Sequence, residues 1–181
     1  GRALRVVGTH RDITDRMLAE EALQSTVKRF QTVLSNLYNG ILLVSPDGQI
    51  EFANQAFCDL FDLPEPPTAL IGWQAPELIG RISPAYANPA REVARIGQLV
   101  ASGRAAKGEE IAISGGRTYL RDYVPILIDG ETVGRLWFHQ DITERQRAEE
   151  RLRDQERLLA DAQAIAHIGS WETDLATNRA T

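Results

Sequence analysis

The sequence contains one cysteine and no long apolar run among its 181 residues. A single cysteine excludes an intramolecular disulfide and a zinc site built from cysteines, which fits a reducing compartment. No apolar stretch approaches the ~18 residues that a membrane span needs. The first eight residues mix charged and apolar positions and lack the apolar centre of a signal peptide. These absences favour a cytoplasmic segment without membrane contact, in a parent protein that can still be anchored to a membrane elsewhere.

Basic residues are too few for a nucleic-acid binder. Twenty Lys and Arg stand against 25 Asp and Glu, giving a net charge of -5 and a pI near 5.3. Since phosphate backbones and anionic membranes attract basic surfaces, we expect neither as a main partner. Motifs for a nucleophile with its base, for metal ligation or for phosphate binding are also missing. The sequence therefore favours a chain that is not itself an enzyme.

One fourteen-residue segment occurs twice. His139–Leu152 repeats His10–Leu23 with nine identities and a constant offset of 129 (139 − 10 and 152 − 23). The same offset carries Gly40 onto Gly169, so the repeat period corresponds to one whole domain. We expect a piece of a longer protein with five parts: the tail of a preceding unit (1–12), a connector helix (13–38), a complete domain (39–141), a second connector helix (142–167) and the head of a following unit (168–181).

The repeated Asp-Ile-Thr string predicts a strand-to-helix hinge made of Asp141, Ile142, Thr143 and Arg145. Asp141 or Thr143 can accept hydrogen bonds from the first N–H groups of the helix, and Thr143 with Gln146 fits the capping-box spacing. Asp141 and Arg145 lie one helical turn apart and are expected to form an ion pair. An ordinary capped helix is the alternative, but repetition at the domain period favours a signal hinge.

Both connectors repeat apolar positions at the alternating spacing of three and four that is typical of a coiled-coil seam. Arg16 with Glu20, and Arg145 with Glu149, are polar seam positions that recur in register and limit the pairings available. The pattern predicts a parallel homodimer. For Phe30, Leu34 and Leu37 the alternative is that the helix packs these side chains against its own domain. The apolar seam consists of Leu23, Val27, Phe30, Leu34 and Leu37, followed in the weaker second connector by Leu152 and Leu159.

Between the connectors, the pattern predicts an α+β domain. A hairpin over 41–52 turns at 45–48. A short helix follows with Phe57, Leu60 and Phe61 inward, and a poorly periodic region extends to Pro84. A long helix then spans 88–102 with Val93, Ile96, Leu99 and Val100 on its inner face. The last predicted elements are three strands at 109–114, 117–126 and 132–140.

The hairpin, Ala-Asn-Gln-Ala-Phe at 53–57, Leu-Ile-Gly at 70–72 and the final Asp-Ile-Thr together resemble a PAS domain with its PAC-type C-terminal motif. Such domains occur in multi-PAS bacterial sensor proteins. The resemblance implies a PAS fold, in which a five-stranded antiparallel sheet carries helices on one face. Coiled-coil-type signalling helices are expected to flank the domain at both ends.

The resemblance implies no cofactor. Haem-binding relatives place a histidine on the long helix, and 88–102 contains none. Light-sensing flavin relatives carry an Asn-Cys-Arg-Phe-Leu-Gln motif that is missing here, and Cys58 stands too early, where we interpret it as a small half-buried thiol. His139 occupies the position of a glutamine in those relatives. The sequence leaves open whether the domain binds an unknown small ligand.

Trp137 and His139 alternate with Arg135 onto the strand face that relatives turn toward a cavity. A histidine there can report pH or bind a polar ligand, or simply be a hydrogen-bonded core residue. In the preceding strand Arg121 and Tyr123 share a face, a pattern more typical of an exposed strand face than of a ligand clamp. Tyr123, Trp137 and His139 are the candidate cavity residues.

The function implied is a non-catalytic PAS sensor or signal-relay and dimerisation module of a bacterial signalling protein. The parent would be a sensor histidine kinase or a cyclic-dinucleotide enzyme, with its kinase or cyclase effector outside this chain and neighbouring PAS domains as partners. Conformational change would pass through the flanking helices. The alternatives are a ligand-free constitutive dimerisation spacer and a flavin-based redox or light sensor.

Overall fold

The computed structural model of this chain describes residues 14–166 and two short strands, Thr173–Asp174 and Arg179–Ala180, which pair in antiparallel fashion. Side chains are described from 17 to 164. The predicted tail of a preceding unit lies outside the described residues. The structure describes only the backbone of these two short strands within the predicted head of a following unit (168–181).

One antiparallel sheet of five strands forms the centre of the described residues. The order across this sheet is β2-β1-β5-β4-β3, so the last strand lies in the middle, between the first strand and the fourth. This confirms the predicted five-stranded antiparallel sheet. The strands are β1 (Gly40–Val44), β2 (Ile50–Ala53), β3 (Ala106–Ile113), β4 (Arg117–Ile128) and β5 (Glu131–Asp141).

The β4–β5 hairpin turns at Asp129 and Gly130, whose φ angles of 52° and 84° are both left-handed. Such angles match the twist of the two strands that a tight hairpin joins, and Asp-Gly is a sequence that adopts them readily. The pairing shifts its register by one residue shortly before this turn, and along the rest of the ladder Arg121 in β4 lies opposite His139 in β5. The hairpin therefore brings these two polar residues together.

Helices connect and flank the strands: α1 (Thr14–Ser35), α2 (Gln55–Leu60), α3 (Pro67–Leu70), α4 (Ala75–Ile82), α5 (Pro89–Ser102) and α6 (Thr143–Ala166). A 3₁₀ turn over Ser83–Ala85 joins α4 to the segment before α5. The sequence interpretation missed α3 and α4 in its poorly periodic region. Helices of four and eight residues are too short for apolar periodicity to identify them, although α4 begins with Ala75-Pro76, a common helix start.

The core lies between the sheet and α2 to α5, with Phe57, Leu78, Ile96 and Leu99 among its buried residues. The predicted inner face of α5 is wrong at one position. Val93 is 38% exposed, whereas its neighbour Glu92 is only 7% exposed. Hydrophobicity alone favoured the valine, but the carboxylate turns inward because a buried arginine on the sheet faces it.

Asn54 joins α1 to the domain. Its side chain is 1% exposed, and its Nδ2 donates to the carbonyls of Leu34 at 3.1 Å and Asn39 at 2.9 Å. Its Oδ1 accepts from the N–H groups of Ile41 at 2.8 Å and Phe57 at 3.0 Å, the latter capping α2. One carboxamide thus ties the end of the first connector to the start of β1 and to α2.

Candidate ligand cavity and signal hinge

A small cavity lies between the inner face of the sheet and helices α4 and α5. Its volume is about 60 Å³, and its walls are mostly apolar. Arg121, His139 and Tyr86 are the polar residues that line its buried part, and Trp137 contributes an aromatic wall. Its aliphatic walls come from β1, β2, α4 and α5 and include Leu42, Val44, Ile50, Leu78, Ile82 and Ile96.

Arg121 is the most deeply buried charge at this cavity, at 1% exposure. Its Nη2 lies 3.2 Å from Oε2 of Glu92 on α5 and 2.9 Å from Oε2 of Glu109 on β3. Burial by itself would raise the pKa of Glu109, but hydrogen bonds from Arg95 and Arg121 outweigh it and hold the pKa below its usual value. The expected exposed face for Arg121 and Tyr123 is wrong, since both are buried, and the two glutamates explain how the arginine is accommodated.

His139 stands opposite Arg121 and is 3% exposed. Its ring packs edge-on against Phe57 and Phe61, with centroids 5.7 and 5.2 Å away. Burial, with the charge of Arg121 adding to it, lowers the pKa of His139 to about 3. The imidazole is therefore neutral throughout the physiological pH range, which favours a neutral hydrogen-bonding group over a pH reporter.

Several polar atoms around the cavity have no hydrogen-bond partner among the described residues. They are Nε and Nη1 of Arg121, Nδ1 of His139 and the hydroxyl of Tyr86. Burial raises the pKa of Tyr86 to about 12, partly offset by the nearby Arg121, so the hydroxyl keeps its proton. An unpaired buried polar group costs about 1–3 kcal/mol, so four such atoms around one cavity make its polar end the candidate ligand site.

The three candidate cavity residues take different places. Trp137 and His139 line the cavity, as their alternation along the last strand predicts. Tyr123 packs on Trp137 with ring centroids 4.6 Å apart and does not belong to the lining. Sequence reasoning missed Tyr86 entirely, and it placed Arg121 on the wrong side. The alternation of Tyr119, Arg121 and Tyr123 along β4 was the one signal that marked an inward face.

Cys58 is fully buried rather than half-buried. Burial raises the pKa of its thiol to about 11, with the charge of Asp59 adding to the effect. The thiol is therefore protonated and is not a reactive nucleophile. Nor do the residues from 17 to 164 contain a group of three or more His, Cys, Asp or Glu side chains placed to hold a metal ion.

The hinge begins where β5 ends. Oδ1 of Asp141 accepts a hydrogen bond from the N–H of Thr143 at 2.8 Å. Oγ1 of Thr143 accepts from the N–H of Thr118 in β4 at 2.9 Å, and the N–H of Ile142 donates to the carbonyl of Thr118 at 2.9 Å. Ile142 and Thr143 are both buried. The first turn of α6 is thus attached to β4 as well as to the strand that it continues.

Two expected hinge contacts are not formed. Arg145 lies 3.7 Å from Glu149, one turn further along α6, instead of pairing with Asp141. Asp141 and Glu149 are each one helical turn from Arg145, and its exposed guanidinium pairs with Glu149. Gln146 does not complete a capping box with Thr143, because its Nε2 donates to Oε2 of Glu110 on β3 at 2.9 Å. The start of the helix lies close enough to β3 for this longer-range bond to replace the local one.

The connector helices expose most of their predicted seam. In α1, Leu23, Val27 and Phe30 are 64%, 47% and 65% exposed, and Leu34 is half-buried. The last predicted seam residue, Leu37, is 39% exposed and lies beyond Ser35, where α1 ends. Leu152 and Leu159 of α6 are 56% and 60% exposed. Arg16 precedes the described side chains. No helix within 14–166 is long and apolar enough to cross a membrane.

Comparison with known proteins places this architecture in a family. The sequence model of the PAS fold family matches residues 34–147, from the last turn of α1 to the first turn of α6. That is 114 of the 181 residues (147 − 34 + 1), so the chain belongs to the PAS fold family. The matched range contains the sheet, the cavity and the hinge.

Individual relatives resemble parts of the chain. Sporulation kinase E of Bacillus subtilis (strain 168) is 39% identical over 54 residues, which are 30% of this chain and 7% of that kinase. The sensor region of a sensor histidine kinase matches 59% of this chain and 40% of its own at 24% identity, with a TM-score of 0.47. A chain of the E. coli DhaR(N)-DhaL complex matches 71% of this chain over 38% of its own length, at 16% identity and with a TM-score of 0.51. The two chains therefore share the fold.

Proposed function

We propose that this chain is a non-catalytic sensor and signal-relay module that works as a parallel homodimer in a bacterial signalling protein. The observation that carries the proposal is the course of β5. This strand presents Trp137 and His139 to the cavity and, two residues later, ends at Asp141 of the hinge. A change at the cavity can therefore reach α6 along a single strand.

A second connection supports the relay. Arg121 at the cavity binds Glu109 of β3, and the adjacent Glu110 binds Gln146 in the first turn of α6. Adjacent strand residues point to opposite faces of a sheet. A shift of β3 driven by Arg121 would therefore move a residue that holds the output helix.

Dimerisation is supported by the exposed apolar side chains of α1. Leu23, Val27 and Phe30 recur at coiled-coil spacing and are about half to two-thirds exposed. An apolar stripe along a helix of 22 residues is unfavourable in water. A second copy, in parallel, would bury the same stripe of both chains and bring both α6 helices out on the same side.

Light scattering on the chain at tens of micromolar tests the dimer. We expect twice the chain mass of 20.1 kDa. Phe30→Glu should dissociate the dimer, because it places a charge in the seam. Gln31→Glu, one position away on the same helix, is the matched control and should leave it intact. A wild-type monomer would refute the dimer, and equal weakening by both variants would refute this seam.

We further propose that the module holds neither haem nor a photoactive flavin. The inner face of α5 carries Glu92, Ile96 and Leu99 and no histidine. The cavity of about 60 Å³ is far smaller than a macrocycle or a three-ring flavin. A visible absorption spectrum of the purified chain tests this, since a stoichiometric chromophore released on denaturation would contradict it.

The parent protein is proposed to be a sensor histidine kinase or a cyclic-dinucleotide enzyme, acting in the cytoplasm. The partial likeness to Sporulation kinase E supports the kinase. The catalytic effector and neighbouring PAS domains would be the partners of the two connector helices. The competing function is a constitutive dimerisation spacer. If the chain is such a spacer, binding of a molecule in the cavity should leave α6 unchanged.

A further inference from the structure

The buried end of the cavity presents hydrogen-bonding groups from three separate elements. Arg121 comes from β4, His139 from β5 and Tyr86 from the segment between the 3₁₀ turn and α5. Each of these side chains is more than nine-tenths buried, and each has polar atoms that no described residue satisfies. The other walls are aliphatic or aromatic except for Arg135. An occupant must therefore be apolar over most of its surface and polar at one end.

We propose that this cavity of about 60 Å³ binds a small uncharged molecule with an oxygen acceptor, a short ketone or alcohol of a few heavy atoms, whose oxygen bonds to Arg121. The inference rests on the sensor function proposed above and names its ligand class. Tyr86 and His139 would complete the polar end. A carbonyl accepts from the arginine and from the tyrosine hydroxyl, and an alcohol can in addition donate to the imidazole.

Charge balance is the reason that the ligand is uncharged. Arg121 already has Glu92 and Glu109 at 3.2 and 2.9 Å, and Glu109 is shared with Arg95. Glu92 also lies 3.9 Å from Arg91, whose side chain is 78% exposed and therefore screened by water. Apart from this exposed group, two carboxylates face two guanidiniums. An added anion would compete with Glu92 and Glu109 for Arg121 in a mostly apolar cavity, where burying an unmatched charge is costly. A cation would be repelled by Arg121 itself.

Guanidinium geometry leads to the same conclusion. A carboxylate binds an arginine best through two parallel N–H bonds. The parallel pairs of a guanidinium are Nε with Nη2 and Nη1 with Nη2. Nη2 of Arg121 already donates to Oε2 of Glu109 and forms an ion pair with Oε2 of Glu92. The free atoms, Nε and Nη1, point in different directions. They suit single acceptors rather than one carboxylate.

Arg135 does not change this assignment. It lines the cavity, but its Nη2 donates to the carbonyl of Pro46 at 2.7 Å and its Nη1 to that of Ser45 at 3.4 Å. Its guanidinium therefore bonds to the turn between β1 and β2. The polar end of the cavity is left to Arg121, His139 and Tyr86.

Four probes of four heavy atoms each, a size that suits the cavity of about 60 Å³, test the ligand class on the intact chain. Acetone, 2-propanol, isobutane and acetate are titrated while the amide spectrum is recorded by NMR. We expect saturable shifts in β4 and β5 with the ketone and the alcohol, at least tenfold weaker binding of isobutane, and no binding of the carboxylate. Equal affinity for isobutane would make the site purely apolar. Binding of the carboxylate, or of no probe, would overturn the proposal.

Tyr86→Phe removes one hydroxyl and leaves the ring in place, so it is expected to fold. It should weaken the binding of the ketone about threefold to tenfold, the range that corresponds to one hydrogen bond, and leave the binding of isobutane unchanged. Equal loss for both probes would contradict a polar role for Tyr86. Ligand binding that leaves the α6 amides unshifted would refute the relay but keep the ligand class. A dimer that binds no probe would refute the ligand class alone.

Discussion

Arg121 and His139 face each other in the β4–β5 ladder, and the charge of the arginine adds to burial in keeping the histidine neutral. The relationship explains how a histidine can line a cavity without responding to physiological pH. It also explains why the two have to be considered together, since the charge of Arg121 opposes protonation of His139. Substitutions of Arg121 or His139 therefore test the arrangement of charges described for the cavity.

We predict that His139 destabilises the fold at acidic pH. Its pKa is about 3 in the folded chain against 6.5 for an ordinary histidine. Below pH 6.5 the unfolded chain therefore binds a proton that the folded chain does not, so stability falls as pH falls toward the folded pKa. Between about pH 7.5 and about pH 5 the loss from this residue should be about 2 kcal/mol. Urea unfolding at both pH values measures it.

His139→Gln provides the comparison for this effect. The variant keeps a polar side chain but cannot titrate, so its loss of stability over the same pH interval should be smaller by about 2 kcal/mol. Other groups that protonate at low pH, including Glu109, are common to both chains and cancel in the difference. Equal pH dependence of the two chains would show that the imidazole is not held neutral.

Glu92→Gln should destabilise the domain, because it removes one of the two carboxylates that balance the buried Arg121. The remaining pair with Glu109 keeps part of the balance, so we expect a loss of about 1–3 kcal/mol rather than complete unfolding. Urea unfolding at neutral pH measures the change. Glu51→Gln, on an exposed position of β2, is the control and should change the stability little. Equal effects of the two variants would mean that the inward position of Glu92 has no energetic role.

Asn54→Ala should separate α1 from the domain. It removes the α2 cap and leaves the carbonyls and N–H groups around residues 34–41 without their shared partner, a cost of about 2–4 kcal/mol. Gln55→Ala, the exposed neighbour, should cost only a few tenths as an ordinary surface change, within about 0.5 kcal/mol. Unfolding by urea compares them, and similar costs would contradict the role given to Asn54.

Asn54→Asp separates the two roles of this side chain. The carboxylate keeps an acceptor for Ile41 and Phe57 but loses the Nδ2 donors to Leu34 and Asn39. Hydrogen exchange should therefore accelerate at the end of α1 while α2 stays protected. If α2 exchanged faster as well, the cap and the connector bond would act as one unit.

The sheet and its turns could be predicted from the sequence because their signals are local. Asp129-Gly130 and Gly115-Gly116 mark hairpins whatever surrounds them, and the strands of those hairpins lie within one or a few residues of their predicted bounds. The positions of Glu92 and Arg121 could not be predicted in this way. Each looks exposed by hydrophobicity, and only the contact between α5 and β4 makes both buried.

The hinge was predictable in part for the same reason. The Asp141 cap on Thr143 spans two residues, so spacing was enough to suggest it. Arg145 and Gln146 each had a local partner by spacing and a different partner in the structure, Glu149 and Glu110. The bond between Gln146 and Glu110 joins residues 36 apart, and helix spacing contains no information about it.

The last prediction concerns Asp141→Ala in the full-length parent. Asp141 caps α6, and a lost cap costs on the order of 1 kcal/mol, which corresponds to a fall in melting temperature of about 4–8 °C in a domain of about 100 residues. Ile142 and Thr143 would still hold the helix to Thr118, so the domain should stay folded. Signalling output should change because the angle between β5 and α6 is less firmly fixed. Melting temperature and output are measured together.

Asp141→Asn is the matched variant, since its Oδ1 can still accept the hydrogen bond from Thr143 and should restore the wild-type output. Unfolding by Asp141→Ala would make the residue a structural element of the core instead of a relay. Output and stability that both stay at wild-type values would remove the support for a hinge. The constitutive spacer, in which α6 is held in one position whatever happens at the cavity, would then be the better explanation of why the cavity strand continues directly into the helix.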